Sequence, residues 1–112
     1  MSAADRLVEK LIIRRVVREL RLAGFVPVKV WDSEDYVDAT TAKAVIQVLY
    51  DVDASCTVHF APAADPAAWG RLGVLLVTGN GIDILSDWHC QNPTFDAALE
   101  RVCDWVNALE AA

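Results

Sequence analysis

The chain has 112 residues, 54% of them apolar, and a net charge of −6. This composition fits one domain over residues 1–112 with a core that needs no disulfide or structural metal. It excludes a disordered chain and, through its overall charge, a general nucleic-acid binder. The charge is unevenly placed. Residues 1–24 hold six basic groups against three acids, +3, and the remainder holds four against thirteen, −9.

The apolar runs are short and interrupted by charge. Val74–Val77 is four residues, against the roughly 20 that cross a bilayer, so no membrane partner is expected. The opening MSAADRLVEK has charge on both sides and no apolar centre, so it does not read as a signal peptide. Three cysteines, Cys56, Cys90 and Cys103, cannot all pair within one chain and form no CxxC. The expected location is the reducing cytoplasm.

Ala4–Ala23 reads as a helix, capped by Ser2 or Asp5 and ended by Gly24. Lys10, Arg14, Arg18 and Arg21 recur at four-, four- and three-residue steps and share one face. Leu7, Leu11, Ile12, Ile13, Val16, Val17 and Leu20 form an apolar arc broader than a surface helix needs. Cover on more than one side is expected, and a second subunit would supply it as a homodimer through this helix.

Phe25–Trp31 alternates and is rich in valine, which predicts a strand. Pro27 has no N–H for a ladder, so an edge position or a start at Val28 is expected. DSEDYVDAT follows as an acidic loop. Thr40 or Thr41 caps a second helix over Ala42–Tyr50. Ser55–Phe60 is a strand with Cys56, Val58 and Phe60 on one face and Ser55, Thr57 and His59 on the other. Asp65-Pro66 opens a loop or a single helical turn. Leu72–Thr78 is nearly all apolar and reads as a central strand. Gly79-Asn80-Gly81 supplies a tight hairpin turn, and Ile82–Trp88 is the return strand. Asn92-Pro93 opens the last helix, whose stripe is Phe95, Leu99, Val102, Cys103, Val106 and Leu109. The order α-β-α-β-β-β-α, with a mostly antiparallel sheet on which long N- and C-terminal helices pack, is the α+β class.

Five groups of residues are candidates for chemistry or binding. In the return strand, alternation places Asp83, Leu85, Asp87 and His89 on one face, with His59 a possible neighbour. Carboxylate and imidazole together suit a transition metal or a hydrolytic site. The plainer reading, a solvated sheet face, is preferred because the spacing is not that of a metal motif. Cys90 and His89 are adjacent, so they diverge on a strand and cannot form a nucleophilic dyad. The acidic residues Asp32, Glu34, Asp35 and Asp38 lack the glycine and glutamate of a calcium loop; solvated turns, or an acidic docking surface, remain. Arg14, Arg18 and Arg21 could meet phosphates, but pairing with the acidic remainder of the fold or with another subunit is preferred. Trp69, in a loop between small residues, is the tryptophan most open to a partner.

The segment Leu72–Trp88, LGVLLVTGNGIDILSDW, resembles a pattern in small uncharacterised proteins of phages, plasmids and other bacterial mobile elements. There a strand runs into Gly-Asn, a turn, an aspartate and Ile-Ser-Asp with an aromatic residue. Here the pattern is carried by Gly79, Asn80, Asp83, Ile84, Ser86, Asp87 and Trp88, with Leu85 inserted between Ile84 and Ser86. VKVWDSEDYV is also similar, so the likeness covers Val28 to Trp88. It implies a bacterial or phage cytoplasmic origin and no particular activity. The resulting expectation is a non-enzymatic protein-binding module, an inhibitor or accessory protein of a mobile element, without catalytic residue, metal or cofactor. The alternatives are an enzyme centred on Asp83, Asp87 and His89, and nucleic-acid binding through the first helix.

Overall fold

The computed structural model describes residues 3–51, 56–68, 73–77, 84–90 and 92–111. In chain order these form α1 (Ala3–Leu22), β1 (Phe25–Trp31), β2 (Tyr36–Asp38), α2 (Ala42–Asp51), β3 (Cys56–Pro62), a 3-10 turn (Pro66–Ala68), β4 (Gly73–Val77), β5 (Leu85–Cys90) and α3 (Pro93–Ala111). The fold is α+β, and every described strand pairing is antiparallel, in the order β2-β1-β3-β4-β5.

The end of α1 and the starts of α2 and α3 fall where the sequence supplies the backbone with partners. Gly24 takes a φ of 95°, and its N–H donates to the Arg21 carbonyl at 3.0 Å, closing α1. The Thr41 Oγ1 accepts the Ala44 N–H at 3.1 Å and caps α2. Asn92 Oδ1 accepts the Thr94 N–H at 2.8 Å at the start of α3, with Pro93 in the first turn, where its missing N–H costs nothing.

One core joins the inward residues of the sheet to all three helices. Val30, Cys56, Val58 and Phe60 pack with Ile12, Ile13, Val16 and Leu20 of α1, Val45 and Ile46 of α2, and Phe95, Leu99 and Val102 of α3. Phe95 meets Phe25 and Phe60 edge-on, with ring centroids 5.3 and 5.7 Å away. Ile12, Ile13, Val16, Val17 and Leu20 of the α1 arc are therefore covered within the chain, by the sheet and by α2 and α3 on either side, while Leu7 and Leu11 stay exposed. Glu9, 2% exposed, lies inside this arc and accepts the Tyr50 hydroxyl at 3.1 Å, tying α1 to α2. On the α3 side, Glu19 meets both Arg15 and Arg101, and Arg15 lies 5.3 Å from the Trp105 ring centroid.

Three sequence expectations are corrected. The acidic loop contains a strand, β2, so the order is α-β-β-α-β-β-β-α. Its three residues are all exposed and show no inward alternation, so no periodicity announced it. It is set up by a tight turn: Asp32 Oδ1 accepts the N–H groups of Glu34 and Asp35 at 2.9 and 2.7 Å, and Ser33 takes a φ of 83°. Consequently β1 is not an edge strand. Pro27 is tolerated because β2 pairs only with Lys29–Trp31, and the β1–β3 register shifts between Pro27 and Lys29. Finally, Leu85 does not share a face with Asp87 and His89. Val77 pairs with Leu85 but Leu76 pairs with Asp87, so Ser86 is an extra residue. That bulge inverts the alternation, and Leu85 packs against the core beside Ile84.

Candidate functional site

Among the described residues a groove open to a ligand lies between α1 and α2. Buried Glu9 and the core beneath fix how the two helices sit, and the Arg21 Nη2 donates to the Thr40 carbonyl at 2.8 Å just ahead of α2. The result is an open groove of about 560 Å³, lined by Arg14, Val17, Arg18, Arg21, Leu22, Thr41, Ala42 and Lys43. That is within the usual range of binding clefts, roughly 300–1,000 Å³.

The groove gathers four cationic side chains on an apolar floor. Arg14, Arg18 and Lys43 are exposed and form no ion pair or hydrogen bond with another described residue. Among the described residues the ion pairs are made by Arg15, Lys29 and Arg101, so the described acids of the chain do not pair with this basic stripe. In the β1–β2 hairpin the Asp32 carboxylate is occupied with the backbone of its own turn, and Asp38 with Lys29. Lys10, the first residue of the stripe, turns instead to the Tyr50 ring, 5.6 Å from its centroid.

Lys43 stands in the first turn of α2, a turn without any acidic residue. A helix N-terminus carries partial positive charge and favours anions, and the N–H groups of the first turn have no intrahelical acceptors. Thr41 takes one of them, that of Ala44. A lysine there, facing three arginines, concentrates like charge without a counter-charge among the described residues. Ahead of the groove on the same face of α1, Leu7 and Leu11 are 63% and 52% exposed, and Leu22 at its end is 74% exposed.

The second candidate is the sheet face opposite the helices. Asp87 and His89 sit there on the edge strand β5, both exposed. The register runs His89–Val74–His59–Lys29–Asp38, so the two histidines are separated by a whole strand. His59 lies edge-on to Tyr36, at 5.4 Å, and Tyr36 stacks at a tilt on Trp31, at 4.8 Å. Burial pushes the His59 imidazole below its ordinary pKa. Among the described residues no three His, Cys, Asp or Glu are placed to hold a metal ion together. Cys56 and Cys103 are thiols, both held above the usual range. Burial is the main cause in each, reinforced by Asp32 for Cys56 and by Asp104 and Glu100 for Cys103. Neither is activated as a nucleophile.

The residues singled out from sequence therefore separate. Arg14, Arg18 and Arg21 come together and acquire Lys43, which sequence reasoning missed; its one signal was a basic residue in an acid-free first turn. Asp87 and His89 share a solvated face, remote from the arginines in the fold. Asp83, Trp69 and the Gly79-Asn80-Gly81 turn lie outside the described residues. Trp88 belongs to the structure, its Nε1 donating to Asp96 Oδ1 on α3 at 2.7 Å. No described helix is long and apolar enough to cross a membrane. Comparison with protein-family models, with curated proteins and with solved structures finds no match for the chain.

Proposed function

We infer that the chain is a non-enzymatic cytoplasmic module that binds a protein partner through the face made by α1 and the start of α2. One observation carries this reading: Arg14, Arg18, Arg21 and Lys43 line one groove in a protein of net charge −6, and none of the four has a counter-charge among the described residues. Such an arrangement spends stability on like-charge proximity and is relieved when a partner supplies acids. The exposed leucines beside it favour a protein over a bare polyanion. The resemblance of Val28–Trp88 to proteins of mobile elements adds that the partner is a bacterial protein, which the module blocks or assists.

Affinity capture from a bacterial lysate tests the reading, using the natural chain, R14E/R18E and E110K as a charge-reversal control elsewhere. A protein retained by the natural chain and by E110K, and lost with R14E/R18E, is the expected outcome. Retention of nuclease-sensitive nucleic acid in place of protein would overturn it. So would stoichiometric zinc in the purified protein that disappears on His89→Ala, which would return Asp87 and His89 to the centre of the argument.

A further inference from the structure

The groove has a shape and a chemical sequence as well as a charge. Along the solvent face of α1 the exposed residues run Leu7, Leu11, Arg14, Arg18, Arg21, at steps of four, three, four and three. This is the spacing by which one helix presents a seam to another. The first two positions are apolar and the last three basic. The basic end opens into the groove against α2, where Val17, Leu22 and Ala42 provide an apolar floor and Lys43 a fourth cation from the facing wall. Successive arginines rise by roughly 6 and 4.5 Å along the axis, the same interval as acids placed three or four residues apart on a second helix.

We propose that this seam is the docking site for an acidic amphipathic helix of a partner protein, whose carboxylates meet Arg14, Arg18, Arg21 and Lys43 while its apolar residues cover Leu7 and Leu11. The proposal rests on the protein-binding reading above and specifies its occupant. Charge complementarity selects it over the other occupants. A nucleic-acid backbone would neutralise the cations but leave the leucines in water, and the rest of the chain, with thirteen acids against four basic groups, repels it. A second copy of α1 is worse matched. Laid parallel, it sets each arginine against itself; laid antiparallel about Arg14, it sets Arg14 on Arg14 and leucines on arginines. A helix carrying acids at one end and leucines at the other meets neither difficulty.

Fluorescence anisotropy with a labelled synthetic helix tests this. The probe carries glutamates at three- and four-residue spacing in one half and leucines at the same spacing in the other. Its controls are a scrambled peptide of equal composition, poly-glutamate and a DNA duplex. The patterned peptide is expected to bind at least about tenfold more tightly than any control, a difference of about 1.4 kcal/mol. R14E/R18E should weaken it about tenfold or more, Lys43→Glu and Leu11→Ser severalfold each, and added salt progressively. Circular dichroism and thermal melting of each variant establish that it is folded. Equal binding of the scrambled peptide or poly-glutamate, tighter binding of DNA, or sedimentation as a dimer dissolved by Leu11→Ser would each overturn the proposal. If the patterned peptide fails while lysate capture still depends on Arg14 and Arg18, the helical occupant falls and the protein-binding reading stands. If capture is also unchanged, both fall.

Discussion

His59 shows how a single side chain's setting becomes a measurable property of the fold. It lies on β3 against Tyr36, half-buried, and burial lowers its pKa from the ordinary 6.5. The unfolded chain therefore binds a proton more readily than the native one. The stabilising contribution is complete above about pH 6.5 and is lost as the pH falls through the lower native value. His59→Gln keeps a polar side chain without the titration. Urea midpoints measured between about pH 8 and pH 5.5 should fall more steeply for the natural protein than for this variant; parallel slopes would show that His59 does not contribute. At this scale the sequence was informative about type and face: His59 was expected opposite Val58 and Phe60, and it is. It was uninformative where backbone irregularity intervened. The bulge at Ser86 moved Leu85 into the core, and no residue type in ILSDW announces an extra residue in the ladder.

Elements were legible in proportion to how much they bury. α1, β1, α2, β3 and α3 begin and end within a residue or two of their caps and apolar runs, because the same inward residues that define the pattern make the core. β2 buries nothing, and it exists because the Asp32 turn returns the chain beside β1. The candidate site follows the same division. Helical spacing aligned Arg14, Arg18 and Arg21, but the meeting with Lys43 depends on how α2 docks, which no local pattern encodes. The cap of α2 is the hinge of that arrangement. Thr41→Ala removes the acceptor for the Ala44 N–H and should cost about 1 kcal/mol, lowering the melting temperature by about 4 °C for a domain of this size. Because the groove wall frays with it, the patterned peptide should bind less tightly to the variant even well below its melting point. An unchanged affinity together with the lowered melting temperature would separate the cap from the site.

Across the whole molecule, charge is segregated: a basic face on α1 and α2, and an acidic remainder. Local rules of helix formation argue against the basic face, since Lys43 opposes the helix N-terminus and stands among arginines. Arg21 has a structural reason in the last turn of α1, through its bond to the Thr40 carbonyl and the negative end of that helix. Lys43 has no such partner among the described residues. A position that breaks a local rule without an internal gain is where stability and binding should trade. Lys43→Glu puts an anion at the helix N-terminus, worth about 0.3–1 kcal/mol at an exposed site, and relieves repulsion with the arginines. The variant should melt higher than the natural protein, the increment shrinking as salt is added. It should also bind the acidic helix less well. A variant that gains stability and loses the ligand would identify Lys43 as a residue retained for recognition; one that loses stability would mean the groove's cations have internal counter-charges after all.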